Sequence, residues 1–434
     1  MAESQPIRHD RAADKASVIL QELLRGYPAR DFAIELWDGT RFDPDAGRLC
    51  RFTWHIKKPS AVQALFRSDR QARLGEAYVC GDFDVSGDLL AVFPVADYLL
   101  GQHLSARQQL RMIASASSLS SAAHPKVERT MLRGTLHSKS RDRQAVSFHY
   151  DVSNDFYQLL LDQRMVYSCA YFKSENDSID RAQEQKLDYV CRKLRLKPGE
   201  RLLDIGCGWG GFILHATRNY GVQALGITLS EQQLVLARER IAKAGLASRC
   251  EVRLVDYREA EQFGIFDKVV SVGMVEHVGE SNLADYFGTA FRLLKPGGIF
   301  LNHGIGRAGS RAKSSAPTFT DVYVFPDADL VPIASTLNAA EQYGFEVRDV
   351  ENLREHYFLT LVEWLRRLER NEVRAKQLVG EMKYRTWRLY LAGSAYYFRT
   401  GKLDLYQTLL LKPTGAPSGL PLTRSDWYQG NGKA

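Results

Sequence analysis

The chain has 434 residues, more than one hydrophobic core usually organises, so two domains are expected. With 45% hydrophobic and 25% charged residues, its composition is that of a folded protein and excludes a disordered one. A formal net charge of +7 favours an anionic partner, such as a nucleic acid, an acidic small molecule or a lipid surface.

Neither a membrane span nor a secretory signal is expected. The longest apolar run, "LLAVFPVADYLLG", is short and is interrupted by Pro94 and Asp97. The first residues, "MAESQPIRHDRAADK", lack the apolar stretch of a signal peptide. Six cysteines are scattered without a CxxC pair, which favours reduced thiols in a cytoplasmic protein and argues against a disulfide framework or a metal site.

Residues 1–120 are expected to form a smaller N-terminal domain, with strands in "DFAIELWDGTRF" and "CRFTWHIKK". A basic linker at 121–143 follows. Between Lys126 and Arg143, six Lys or Arg residues face only Glu128 and Asp142. Two interpretations stay open. The segment is either a solvated linker, or a cationic surface on anionic phospholipid headgroups, where each basic side chain contributes about 1 kcal/mol.

Residues 144–434 are expected to form a doubly wound α/β domain, because short apolar strands alternate with helices. The strands are "RLLDIG", "VQALGIT", "CEVRLV", "FDKVVSV", "GIFLNH", "FEVRDV" and "DLYQTLLL". The helix after the second strand begins with a capping-box pattern, Ser230 with Gln233, and ends at Gly245. A largely helical insertion at about 351–400 precedes the last strand and is predicted to form a lid.

The turn after the first of these strands reads D-x-G-x-G-x-G and begins at Asp204. Gly206 and Gly208 carry no Cβ, so the backbone can approach a bound ligand closely. A dinucleotide fold would place an acidic residue at the end of the second strand, where the sequence instead has "GITLSEQQ". The pattern therefore indicates a different small polar ligand.

Several segments in order resemble the cyclopropane-fatty-acid synthase family of S-adenosylmethionine-dependent methyltransferases. They are "VSFHYDVSNDFYQLLLDQRMVYSCAYF", "LLDIGCGWGG", "GITLSEQQ", "SVGMVEHVG" and "LLKPGGIFLNHGIG". The resemblance covers about residues 140–411. It implies a seven-stranded Rossmann-like methyltransferase domain that acts on unsaturated acyl chains. "RLGEAYVCGDFDVSGDL" looks like the N-terminal domain of the long bacterial members, for docking to membrane or substrate or for dimer contacts, and these members suggest a homodimer.

The resemblance also assigns the donor site. Asp204 and the glycines would cradle the methionine part, Thr228 and Gln233 would replace the acidic ribose ligand, and Asp256 would meet the adenine amino group. The full set of implied donor residues is Tyr167, Ser168, Asp204, Gly206, Gly208, Thr228, Gln233, Asp256 and Tyr257.

Methylation of an alkene leaves a carbocation, and closing a cyclopropane ring then requires a base that removes a proton from the new methyl group. In the family that base is bound bicarbonate. Glu276, just past a predicted strand, and His303, at the end of another, would hold the ion. Glu276 would tune its basicity through a proton on bicarbonate or through His303. The implied set is completed by Tyr357, Cys169 and the backbone of Gly273 and Ile305. Taken alone, Cys169 is a small buried hydrophobic side chain.

Two departures from the family pattern limit the substrate assignment. Ser394 stands where many members have a cysteine, and the loop "YVFPDADLVPI" lacks the family's glycine. Three functions remain: cyclopropanation of phospholipid acyl chains by an enzyme peripherally bound to the inner membrane, C-methylation that gives a methylene or methyl-branched chain, and small-molecule N-methylation. No nucleic-acid-reading motif is found, so nucleic acid is not expected as a partner.

Overall fold

The computed structural model describes residues 10–67, 69–102, 106–119, 132–150, 152–309 and 318–428. Up to residue 119 its elements are α1 (Arg11–Leu24), β1 (Phe32–Glu35), β2 (Arg41–Phe42), β3 (Phe52–Ile56), α2 (Pro59–Ala64), α3 (Arg70–Val79), β4 (Phe83–Gly87), α4 (Val92–Gly101) and α5 (Ala106–Ser117). From residue 132 to 309 they are α6 (Lys139–Tyr150), α7 (Asn154–Leu160), α8 (Ile179–Lys193), β5 (Arg201–Ile205), α9 (Gly211–Tyr220), β6 (Gln223–Thr228), α10 (Glu231–Lys243), β7 (Cys250–Leu254), β8 (Phe266–Val272), α11 (Leu283–Leu293) and β9 (Leu294–Arg307). From residue 318 they are α12 (Phe319–Tyr323), α13 (Ile333–Gln342), β10 (Glu346–Asn352), α14 (Arg354–Arg370), α15 (Glu372–Arg399), β11 (Leu403–Leu411) and α16 (Ser425–Tyr428).

The described residues divide into two compact units. Unit 1 holds those within 1–130, 314–324 and 379–396, and unit 2 holds those within 131–313, 325–378 and 397–434. The predicted boundaries of a basic linker at 121–143 stay a prediction, because residues 121–131 lie outside the described residues. Lys126 and Arg129 are among the residues left out.

Unit 1 is built on a four-stranded sheet in the order β2-β1-β3-β4. The β1 and β3 strands run parallel, and β3 pairs antiparallel with β4. Phe32 and Phe52 lie opposite each other on β1 and β3, with their rings stacked at a centroid distance of 4.8 Å. Both side chains are fully buried, so this aromatic pair belongs to the core of the unit.

The predicted helical insertion at about 351–400 is divided in the structure. The backbone breaks at Gly380, whose φ of 79° and ψ of 163° are not helical, and residues 379–396 cluster with unit 1. A buried arginine accounts for this membership. Arg385 donates to the carbonyls of Tyr78 and Phe83 at 2.7 and 2.9 Å and pairs with Asp84 at 3.0 Å.

Unit 2 contains a seven-stranded sheet in the order β10-β11-β9-β8-β5-β6-β7. The strands from β9 to β7 are parallel to one another, whereas β11 is antiparallel to both of its neighbours. The predicted doubly wound α/β class is therefore confirmed, together with a smaller sheet-containing N-terminal unit. The strand order reverses at β5, which has β6 on one side and β8 on the other, and ligands of this fold bind at such a switch point.

The start of α10 shows how the local sequence shapes this edge of the sheet. The Ser230 hydroxyl accepts a hydrogen bond from the Gln233 amide, as predicted for an N-cap. The Gln233 side chain, however, accepts a hydrogen bond from the Thr228 hydroxyl at 2.7 Å. The glutamine that a capping box would use is thus tied to the end of β6 instead.

Candidate active site

A cavity lies in unit 2 at the carboxyl ends of β5, β6 and β8. All nine residues predicted to hold the methyl donor line it: Tyr167, Ser168, Asp204, Gly206, Gly208, Thr228, Gln233, Asp256 and Tyr257. These residues come from separate strands and loops, and the parallel sheet brings them together. Their contact with a donor stays a prediction, but the sequence identified a set that shares one cavity.

The turn after β5 provides open space in this cavity. Gly206 and Gly208 have positive φ angles of 85° and 54°, which glycine adopts most easily. A Cβ built on Gly208 would meet no protein atom within 4 Å, whereas one on Gly206 would contact Met274 at 3.4 Å. Because Gly208 lines the cavity, the space beside it is available to a ligand.

The end of β6 presents neutral hydrogen-bonding groups. Thr228 and Gln233 are buried and bonded to each other, and both line the cavity. A dinucleotide site would place a carboxylate here for the ribose. The diol of a nucleoside would instead meet a hydroxyl and an amide, as the sequence predicted.

Asp256 is held by an arginine that the sequence reasoning missed. Its carboxylate accepts from Arg258 Nε at 2.7 Å and from Nη2 at 2.6 Å, and Nη2 also donates to Asp142 at 2.9 Å. Both Arg258 and Asp142 line the cavity. Asp256 Oδ1 also accepts from the Arg258 backbone amide at 3.0 Å, so of the two carboxylate oxygens Oδ2 keeps a lone pair. The assignment of Asp256 to the adenine amino group stays a prediction.

A second missed residue is Lys186 on α8. It lines the cavity, is almost fully buried, and donates from Nζ to the Ser168 hydroxyl at 3.0 Å. Burial lowers its pKa to about 8. The sequence did contain a signal, because Lys186 lies four residues from both Ala182 and Val190 on the buried face of the helix.

Glu276 follows β8 in a short 3-10 turn, Val275–His277, and is held by the backbone. Its Oε1 accepts from the Ile305 amide at 2.8 Å, and its carbonyl accepts from the Asp329 amide at 2.9 Å. Among the described residues, its buried Oε2 has no hydrogen-bond partner. Burial raises the pKa of this carboxyl group to about 7, against the opposing effect of the Ile305 amide.

His303 lies on β9, directly opposite Gln407 on β11. The Gln407 amide nitrogen can only donate, so His303 Nδ1 accepts this 3.1 Å bond and the proton of the neutral ring lies on Nε2. Burial holds the pKa of the imidazole well below its usual value. In the described part of the chain the buried Nε2 finds no partner.

The remaining four residues of the predicted bicarbonate site differ in what they can offer. The Gly273 amide donates to the His303 carbonyl at 2.8 Å and the Ile305 amide to Glu276, so both are already engaged. Cys169 is fully buried, its Sγ donates to the Ala170 carbonyl at 3.2 Å, and burial raises the pKa of its thiol. The Tyr357 ring lies 4.6 Å from that of Phe398, measured between centroids.

The two predicted sites adjoin but are distinct. Gly273 lines the donor cavity and also bonds to His303, whereas five of the predicted bicarbonate residues do not line the cavity: Cys169, Glu276, His303, Ile305 and Tyr357. Their contact with an anion stays a prediction. Ser394 is half-buried on α15, in the segment that belongs to unit 1.

Comparison with known proteins identifies a family for each part of the chain. Residues 137–408 match the family described as mycolic acid cyclopropane synthetase, and residues 19–100 match a domain of unknown function, DUF7884. A probable fatty acid methyltransferase of Pseudomonas putida is 41% identical over 91% of this chain and 96% of its own. The cyclopropane-fatty-acyl-phospholipid synthase of Escherichia coli K12 is 36% identical over 67% of this chain and 72% of its own.

A solved structure agrees with this match. The mycolic acid cyclopropane synthase CmaA1, complexed with SAH and CTAB, is 34% identical and has a TM-score of 0.59. The similarity covers 62% of this chain and 98% of that one. Coclaurine N-methyltransferase, at 21% identity, shares the fold alone.

We expect Gly208→Ala to weaken the binding of S-adenosylhomocysteine at least roughly tenfold, because the added methyl group occupies space in the cavity. Isothermal titration calorimetry measures the effect. Gly199→Ala is the matched control, since Gly199 also has a positive φ, of 82°, and a Cβ there meets nothing within 4 Å. Gly199 is exposed and does not line the cavity. An unchanged affinity in Gly208→Ala would show that the donor does not contact this turn.

Proposed function

We propose that this protein cyclopropanates unsaturated acyl chains of phospholipids. The chain belongs to the mycolic acid cyclopropane synthetase family and is an S-adenosylmethionine-dependent methyltransferase of lipid acyl chains. The alkene takes the methyl group from the sulfonium, whose S–C bond breaks. The resulting carbocation closes to a ring when the transferred methyl group loses a proton. The observation that supports ring closure is that Glu276 and His303 are both buried and that, among the described residues, each has an unpartnered polar atom.

These unpartnered atoms fit bicarbonate. Glu276 Oε2 can accept a hydrogen bond from a hydroxyl group, and His303 Nε2–H can donate to a negatively charged oxygen. Bicarbonate carries both kinds of group, and when bound it supplies a base for the proton of the new methyl group. An ion lying between these two side chains would satisfy both orphaned atoms, which are otherwise costly to bury.

Glu276 and His303 would have different roles at the bound anion. With its pKa raised to about 7, Glu276 can hold or release a proton near neutral pH. His303 stays neutral and keeps a fixed tautomer, because Gln407 occupies Nδ1. Glu276 is therefore proposed to tune the basicity of the site, and His303 to orient the anion.

C-methylation without ring closure is the second candidate. It is supported by the name of the Pseudomonas putida relative, a probable fatty acid methyltransferase. The carbocation is common to both reactions, so the position of the base relative to the chain decides which proton leaves. Small-molecule N-methylation has less support, because the N-methyltransferase similarity shows the fold alone.

A surface of unit 1 supports docking to an anionic membrane. On α5, Leu110 and Ile113 are 69% and 36% exposed and lie three residues apart on one helix face. Arg107 on the same helix is also exposed, as is Arg111, which is paired with Glu22 at 2.9 Å. Apolar side chains in water beside basic ones are typical of helices that lie in the headgroup region of a bilayer.

We propose that this surface and the basic segment at 121–143 bind the inner membrane, so that the enzyme is cytoplasmic and peripherally attached. We also propose that it is a homodimer. Within the described ranges, no helix has the length and apolar character needed to cross a bilayer. Sedimentation velocity would reveal whether the protein is dimeric.

Expression in a bacterial host that lacks cyclopropane lipids should add one CH₂ group to unsaturated chains of the phospholipid fraction. Mass spectrometry of the separated lipids detects the gain, and mild catalytic hydrogenation should leave the product unchanged. The Gly208→Ala variant serves as the donor-site control and should give less product. A product that takes up hydrogen would identify a methylene chain, and a gain confined to free fatty acids would contradict the phospholipid assignment.

Glu276→Gln should lower kcat by roughly 10²- to 10⁴-fold with little change in donor affinity, because it keeps the shape of the side chain but removes its proton exchange. The activity of the unmodified protein should fall in carbonate-free buffer and return when bicarbonate is added. Glu280→Gln is the control, since this nearby glutamate is exposed and bonds Ser335. Full, carbonate-independent activity in Glu276→Gln would reject the bicarbonate role.

Co-sedimentation with anionic liposomes tests the membrane surface. Leu110→Ser should reduce binding at low and high salt alike, because it removes an apolar contact. Reversing Lys126, Arg129 and Arg133 to Glu should reduce it at least roughly tenfold at low salt, because that attraction is electrostatic. Val235→Ser on α10 changes a similarly exposed apolar residue and serves as the control. Equal binding by all variants at both salt concentrations would reject this surface.

A further inference from the structure

Lys186 is a buried cation whose charge no protein group balances at contact distance. It lies on α8, lines the donor cavity and is 2% exposed. Its Nζ donates to the Ser168 hydroxyl at 3.0 Å, which is a neutral acceptor. Over the ranges that the structure describes, no carboxylate oxygen lies within 4.0 Å of this ammonium group. A buried lysine is ordinarily paired, so its direction toward a cavity needs an explanation.

Two buried carboxylates raise the pKa of Lys186 from beyond contact distance: Asp162, whose effect is the larger, and Asp204. Of the two, Asp204 lines the cavity. It lies at the end of β5 and is 2% exposed. Its carboxylate accepts no hydrogen bond from the described part of the protein. Burial raises the pKa of Asp204 to about 7, and the positive charge of Lys186 opposes that shift. The charges of the two groups therefore interact, but at a distance beyond that of an ion pair.

Two opposite charges that are buried, separated and open to one cavity match a zwitterion. The methionine end of S-adenosylmethionine carries an α-ammonium and an α-carboxylate group on one carbon. We propose that Lys186 binds the α-carboxylate of the donor, beside Asp204, for which the family resemblance already implies contact with the methionine part. This inference rests on the proposed assignment of the cavity to S-adenosylmethionine.

The contact would also protect the enzyme from its own donor. An unprotonated amine is a nucleophile that a sulfonium can methylate, whereas an ammonium group has no lone pair. A carboxylate beside Lys186 favours the ammonium form. The donor would thus keep Lys186 protonated while its methyl group is delivered elsewhere.

Bicarbonate is the alternative anion that Lys186 would bind. The charge of Lys186 contributes to the low pKa of His303, so the ammonium group also influences the predicted bicarbonate site. The alternative role of Lys186 is to bind the bicarbonate base and not the donor. The two roles differ in which ligand loses affinity when the charge is removed.

Calorimetry with two donor fragments separates these roles. S-adenosylhomocysteine contains the amino-acid end, and 5′-methylthioadenosine lacks it. Lys186→Met should raise the Kd of S-adenosylhomocysteine roughly 10- to 100-fold and leave that of methylthioadenosine within about threefold, because one charge-assisted hydrogen bond is lost. Lys186→Arg should recover part of the affinity, and Asp204→Asn should show the same selectivity.

Lys268→Met is the matched control. Lys268 is also a buried lysine of unit 2, on β8, but it lies near Glu200 and does not line the cavity. Both ligands should bind this variant as they bind the unmodified protein.

Equal weakening of both ligands in Lys186→Met would assign Lys186 a structural role and overturn the inference. Unchanged affinity for S-adenosylhomocysteine would overturn it too, and a higher bicarbonate requirement in that variant would assign Lys186 to the base. If the unmodified protein bound neither ligand, the donor assignment would fail together with the inference.

Discussion

The candidate site depends on one geometric constraint, the common direction of the strands from β9 to β7. Strands that run parallel end on the same edge of the sheet, so residues far apart in sequence meet there. Thr228 is the last residue of β6, Asp204 is the penultimate residue of β5, and Gly273 directly follows β8. The antiparallel strand β11 adds Gln407 opposite His303 in the same ladder. Ladder hydrogen bonds fix the strand residues of the site, and the loops that follow these strands carry the others.

Burying polar groups at this edge of the sheet also lowers the stability of the ligand-free protein. Glu276 Oε2 and His303 Nε2 are buried without partners in the described structure. Lys186 is also buried there, and its Nζ contacts a neutral hydroxyl, that of Ser168, and no carboxylate. An unsatisfied buried polar atom costs about 1–3 kcal/mol. The two hydrophobic clusters that pack against the sheet offset this cost. Bound ligands would remove it, so the unpaired atoms indicate where ligand groups lie.

The sequence predicted the regular part of unit 2 because its signals are local. Short apolar strands, glycine turns and the cap at Ser230 each act within a few residues. The missed features are non-local. The bond between Gln407 and His303 joins residues 104 positions apart. In the sequence, Gly380 is indistinguishable from a glycine inside a helix, which lowers helix stability by about 1 kcal/mol. The break there becomes understandable once the structure shows Arg385 packed within unit 1. Lys186 was overlooked because lysine is ordinarily read as exposed.

The reaction also requires that the site contain no better nucleophile than an alkene. Three candidate nucleophiles, His303, Cys169 and Lys186, are blocked by three different physical means. His303 has Nδ1 bonded to Gln407 and a proton on Nε2. Burial keeps Cys169 as a thiol, and the pKa of Lys186, at about 8, leaves its amine mostly protonated at neutral pH. Imidazole, thiolate and amine are all stronger nucleophiles than a carbon–carbon double bond. An alkene can compete for the methyl group because hydrogen bonding at His303, burial at Cys169 and protonation at Lys186 withhold the lone pairs of these three groups.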